Sequence, residues 1–224
     1  MIFGDDVVSP VSVAASEWLA PACRGSWGTV GALVPNHYAS ILHVDAPEPD
    51  IEDWWSAYRR LFQIIASVGE RHTSNADRAW FAVWEGHGFD RIATRVALPG
   101  PLDEAARQAL ERERARLRED DERRNAATRA ALREVPRFAL PDRSYYLVTG
   151  PVAAATRLRT PGSPERWQRP DLFWPDDRRW FVATDVDFWS LYIGGDHHLI
   201  SEVARRVATP SELVLPDHQL VAED

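Results

Sequence analysis

Two stretches of this chain carry the reading of its fold: D-R-A-W-F at Asp77–Phe81 and D-R-R-W-F at Asp177–Phe181. Each leads into a run that is apolar on both sides. After the first, Trp80, Ala82 and Trp84 alternate with Phe81 and Val83, and the second opens W-F-V-A-T-D at Trp180–Asp185. A strand apolar on both faces is a central strand covered on both sides. Two such strands predict a shared sheet with helices and tryptophan rings packed on it. The repeat has a plain structural reading. The Asp accepts from backbone N–H groups at the turn, the Arg covers the strand end, and Trp and Phe fill opposite faces. Duplication is the other reading, and the flanks weigh against it, since Trp84-Glu85-Gly86 stands opposite Thr184-Asp185-Val186.

Working outward, Ser9-Pro10 reads as a helix start, with Val11, Ala14, Ala15, Trp18 and Leu19 on one face and Pro21 as the stop. Stretches 27–34 and 38–44 read as a hairpin turned at Pro35-Asn36. Asp50 caps a helix whose wide apolar stripe is Ile51, Trp54, Trp55, Tyr58, Leu61, Phe62 and Ile65, with Asp53 in its first turn near the positive end of the dipole. Gly86-His87-Gly88 is a turn, and Asp90–Leu98 alternates like a strand with one wet face. A helix is expected over 102–134, nearly stripeless and charge-balanced in its middle, as in a solvated or bridging helix. Ser144–Thr149 reads as a strand and Thr160–Pro175 as a proline-rich loop exposing Trp167 and Trp174. Strands at Trp180–Asp185 and Trp189–Ile193 precede Gly194-Gly195, a helix from Asp196 and an edge strand at Ser211–Leu215. The expectation is an α+β fold: a mainly antiparallel sheet with packed helices in a single domain, 1–224. Its halves, about 1–98 and 137–224, are joined by a charged helical connector at 101–134, and whether they are similar stays open.

From Leu172 the chain reads L-F-W-P-D-D-R-R-W-F-V-A-T-D-V-D-F-W-S-L-Y-I-G-G. It resembles a Trp-rich bacterial family with the block L-W-W-P-x-D-R-x-W-x-V-A-T-E-x-D-x-x-x-x-Y-V-G-G. W-F-A-V-W-E-G-H-G from Trp80 is similar to that family's W-x-x-W-E-G-x-G block. The resemblance implies no activity, and it makes the charged segment between the halves an insertion.

Composition narrows the function classes. With 224 residues and 45% hydrophobic content the chain can build a substantial core, and its ten tryptophans supply much of the buryable area. All 26 basic residues are arginine and the net charge is −8, which argues against general nucleic-acid binding. The single Cys23 excludes a disulfide framework or a cysteine metal cluster. No signal peptide or membrane-spanning run is read, so the expected location is the cytoplasm. No G-x-S-x-G elbow, G-x-G-x-x-G loop or H-x-x-x-H pair occurs, so no cofactor or metal is expected from motifs.

The best candidate site is the end of the strand at Trp180–Asp185. Asp185 and Asp187 lie two apart and share a face, Glu85 follows the other central strand, and His198 stands at a helix start. These four are the catalytic candidates. Trp167, Trp174, Arg178 and Arg179 are the binding candidates, because aromatic and Arg side chains anchor interfaces. The leading expectation is a non-catalytic interaction module with a protein partner. The alternatives are a small hydrolase or metal-dependent enzyme built on strand-end carboxylates, and small-molecule binding in a Trp-lined pocket.

Overall fold

The computed structural model describes residues 2–26, 28–47, 53–89, 104–141, 143–184 and 190–220. In chain order its elements are single helical turns α1 (Leu19–Ala22) and α2 (Val30–Leu33), β1 (Ser40–Val44), α3 (Trp54–Arg71), β2 (Ala79–Trp84), α4 (Glu104–Arg133), β3 (Arg137–Leu140), β4 (Arg143–Gly150), β5 (Arg159–Thr160), β6 (Ser163–Trp167), β7 (Leu172–Pro175), β8 (Phe181–Thr184), β9 (Leu191–Gly195), α5 (His197–Ala204) and β10 (Ser211–Val214). Strands β5 and β6 form a separate small hairpin. The other eight make one sheet in the order β10-β1-β9-β8-β7-β2-β4-β3, with every neighbouring pair antiparallel.

The sheet is covered on both faces. On one face Leu42, Phe81, Val83, Phe173, Val182 and Ile193 pack against Tyr58, Leu61, Phe62 and Ile65 of α3 and Leu199, Ile200 and Val203 of α5. On the other, Trp80, Leu147, Trp174, Phe181 and Tyr192 pack beneath Leu19, Val30, Leu33 and Val34. Phe81 and Phe181 are both fully buried in this sheet. Asp53 is the cap of α3 rather than a first-turn residue, accepting from the Ser56 N–H at 3.3 Å. Asp196 caps α5 by accepting from the Leu199 N–H at 2.8 Å.

The repeated pentapeptides enter the sheet at the same end but out of phase. Phe81 pairs with Phe173, and Phe173 with Val182, so Phe81 is level with Val182. A one-residue offset sends equivalent side chains to opposite faces. Trp80 therefore shares a face with Phe181, and Phe81 shares one with Trp180. The Asp residues also differ. Asp177 accepts from the backbone N–H and hydroxyl of Ser74 at 2.6 and 2.8 Å, whereas the Asp77 backbone N–H donates to Asn75. The two halves interleave: β1 lies between β9 and β10, and β2 between β4 and β7. They do not stand as two units.

Several local expectations are corrected. The helix from Ser9-Pro10 reduces to a 3-10 turn at Ala14–Ser16 and to α1, and Val11 points into water. Val11 and Val13 are stiff at χ1, and Ser12 and Ser16 bond nearby backbone instead. Residues 30–33 form α2 rather than a hairpin strand, and β1 takes both its partners from the far end of the chain. The proline-rich 160–175 is not an exposed loop. It contains β5, β6 and the buried central strand β7, where Pro175 occupies the last position and Leu172-Phe173-Trp174 is apolar on both faces. Asp50, Ile51 and the strand expected at Asp90–Leu98 lie outside the described residues.

Candidate functional site

Strands β2 and β8 run in the same direction, and β7 lies between them. At the end where β2 and β8 finish and β7 begins, several polar groups are folded into the apolar interior. Asp171 immediately precedes β7 and is 2% exposed; Arg169 is 6% exposed. Extending the β7–β8 register by one residue places Asp171 opposite Thr184, and the Thr184 N–H donates to the Asp171 carbonyl at 2.7 Å. Alternation puts both side chains on the α3 face.

The Asp171 carboxylate accepts from three donors. Oδ2 takes the Trp84 backbone N–H at 2.7 Å and His87 Nε2 at 2.9 Å, while Oδ1 lies 3.2 Å from the same His87 nitrogen and 3.3 Å from Arg169 Nη2. Arg169 Nη1 also donates to the hydroxyl of buried Tyr58 at 3.3 Å, and the guanidinium lies 5.5 Å from the centre of the Tyr58 ring. Burial pushes the Asp171 carboxyl up. The hydrogen bond and charge of His87, the Arg169 charge and the Trp84 N–H outweigh it and hold the carboxyl below its ordinary value. Burial likewise raises Tyr58 and opposes the charge on Arg169, but Tyr58 and Asp171 keep Arg169 charged. An ionised carboxylate only accepts, so the His87 Nε2 carries its proton and Nδ1 is left as the basic nitrogen. His87 sits on the 3-10 turn Glu85–His87 between Trp84 and Phe89, each with its ring centre 5.5 Å away, and its side chain is 22% exposed. The Thr184 hydroxyl, in the same strand-end layer, is buried and finds no hydrogen-bond partner among the described residues.

The residues singled out in the sequence fall in different places. Asp185 and Asp187 lie outside the described residues. Glu85 accepts from Arg137 Nη1 at 2.6 Å and is partly exposed, and among the described residues the buried carboxylate at this strand end is Asp171. Trp174 is fully buried; its ring stacks on Phe181 with 5.8 Å between centroids and meets Trp18 edge-on, so it is no surface anchor. Trp167 is half-buried and donates its indole N–H to the Ala155 carbonyl at 3.1 Å. Its ring meets that of Trp55, which is 53% exposed. Arg178 lies over the Trp18 ring and Arg179 reaches back to Asp177. Cys23 is buried, and desolvation lifts its thiol to about 12, which removes it as a nucleophile. Glycines 194 and 195 serve packing: a Cβ on Gly194 would stand 2.5 Å from the Tyr38 ring.

His198 joins a second polar cluster. Its ring centre lies 5.0 Å from that of His72, and His72 Nε2 is 3.0 Å from Glu202 Oε2. Arg71 Nη2 and Arg206 Nη2 reach Glu202 Oε1 at 2.6 and 2.8 Å. His72 and Arg71 bring the Glu202 carboxyl down to about 2.

Sequence reasoning missed Asp171 and Arg169, and it noted His87 only beside Glu85 in the turn after the central strand. One signal was present: R-P-D at Arg169–Asp171 sets two opposite charges around a proline, directly before an apolar run. Read as loop, it suggested nothing buried. Searches against models of protein families, curated proteins and solved structures found no match.

Proposed function

We propose that this protein is an acid–base enzyme, with His87 as the proton-transferring group and Asp171 as the residue that orients it. The observation that carries this reading is the pair itself. A buried carboxylate, held below its ordinary value by His87, Arg169 and the Trp84 N–H, grips one nitrogen of a partly exposed imidazole. Geometry of this kind fixes the tautomer and directs the second nitrogen toward a reacting group. Taking a proton at Nδ1 makes an imidazolium that the adjacent Asp171 charge stabilises. Thr184 supplies a hydroxyl with spare hydrogen-bonding capacity in the same layer. The reaction class this supports is hydrolysis through an activated water, or proton abstraction from a small polar substrate.

The test is loss of a native metabolite. Host extract is incubated with the wild-type protein and with His87→Gln, and followed by untargeted mass spectrometry. A compound consumed by the wild type and spared by the variant supports the reading. If both proteins leave the same metabolite profile, the site is structural.

A second reading, a binding module that docks a protein partner, is favoured by one observation. Trp55 is half exposed and meets both Trp54, 4.9 Å between centroids, and Trp167 edge-on at the start of α3. Aromatic clusters of this kind anchor interfaces. Burial of Trp174 removes the other anchor that this reading relied on.

A further inference from the structure

We propose that His72, His198 and Glu202 form a binding site for a transition-metal dication of the zinc class, pinning the end of α3 to α5. One ligand atom from each of the three side chains lies within 4.8 Å of the others. His198 and Glu202 are four residues apart on α5, hence on one face of that helix. His72 is the C-cap residue of α3 and comes in from the side. Metal bonds of about 2.0–2.1 Å in tetrahedral geometry set ligand atoms about 3.3 Å apart. His72 Nε2 and Glu202 Oε2 are already 3.0 Å apart. Only the exposed His198 ring has to swing inward to complete the set.

The neighbours are arranged to leave the right atom available. Arg71 and Arg206 both bond Glu202 Oε1, which fixes the carboxylate and leaves Oε2 toward the two imidazoles. Outer hydrogen bonds that orient a ligating carboxylate are the ordinary support of metal sites. The two guanidinium charges also weaken the attraction for a dication, so a modest affinity is expected. Two imidazoles with one carboxylate select zinc, cobalt or nickel over magnesium and calcium. Three protein ligands leave a coordination position open to water. His197 takes no part, because its Nδ1 is bonded to the Ser40 hydroxyl on β1. The cluster is separate from the His87 site: Tyr58 and His72 are fourteen residues apart, roughly 21 Å along the α3 axis.

The test is titration of the full chain with Co2+ and with Zn2+, followed by visible absorption for cobalt and by calorimetry and thermal melting for zinc. The expected result is one equivalent bound, ligand-field bands with Co2+, a raised melting temperature with Zn2+ and no response to Mg2+. His198→Ala alters an exposed ring and leaves the circular dichroism spectrum unchanged; it is expected to weaken binding at least about tenfold. His43→Ala, at a separate imidazole near Asp45 and Glu212, is expected to leave binding intact. Absence of saturable one-to-one binding up to about 1 mM metal overturns the proposal. So does unchanged affinity in His198→Ala.

Discussion

Gly69 lies inside α3, where alanine is intrinsically favoured by about 1 kcal/mol. Its place is set by Trp180. The indole N–H donates to the Gly69 carbonyl at 3.1 Å, and a Cβ at position 69 would stand 2.5 Å from the ring. Trp180 is buried and cannot swing aside. Gly69→Ala is therefore expected to destabilise by about 1–3 kcal/mol, read as a lower urea midpoint at unchanged slope. At the same scale, Asp171 ties stability to pH. Its folded carboxyl sits below the unfolded value of about 4, so its contribution is fully present above that value and is lost as pH falls through the folded one. The wild type is expected to lose stability on acidification below about pH 4. In Asp171→Asn that acid limb flattens, and neutral-pH stability drops by about 3–5 kcal/mol because Arg169 stays buried without its charge partner. Chemical denaturation at stepped pH measures both. Neither role is legible from residue type: beyond Arg169 beside Asp171, the partners are about a hundred residues away in sequence, Trp180 for Gly69, Trp84 and His87 for Asp171.

Helix α4 shows what sequence does reveal about an element. Its charged, stripeless middle predicts a helix without a packing face, and the structure agrees: Leu117 is half-buried, most of the described neighbours are exposed, and burial resumes at Thr128 and Leu132. Local propensity and pairs along the helix, such as Glu104 with Arg107 and Gln108, support the outer part. Amides over 107–122 are expected to exchange with deuterium at least about tenfold faster than those over 128–133, measured by hydrogen-exchange mass spectrometry. The β7 strand shows the opposite case. Prolines 170 and 175 bracket it, and breaker residues outvoted a three-residue apolar run. Since β7 pairs with β2 on one side and β8 on the other, its proline is tolerated only at the terminal position. Helix α3 and strands β2 and β8 were legible because their periodicity is long or two-faced. The single turns α1 and α2 were not, because a turn of four residues is shaped by what it covers.

At the level of the whole molecule, two central strands correctly indicated one shared sheet. Its strand order was beyond reach of the sequence, because β1 and β2 pair with strands far along the chain, Ser40 with Gly195 and Ala79 with Pro175, and no periodicity encodes a partner. Phe181 lies between the two covering layers and pairs with Gly194. Phe181→Ala is expected to cost about 3–5 kcal/mol and to lower the midpoint of the entire cooperative transition, followed by circular dichroism. A fragment ending at residue 98 contains β1 and β2 without any of their sheet neighbours. It is expected to lack cooperative unfolding and protected amides.

The interleaved order also bears on birth at the ribosome. When β1 and β2 leave the exit tunnel, every strand they will join is still untranslated, and β1 must wait for residues 191–195 and 211–214. Closure across so long a loop comes late and slowly. During synthesis the tryptophan-bearing edges of the nascent chain stand open, so a helper that shields hydrophobic segments until release would govern the yield of native protein in the cell.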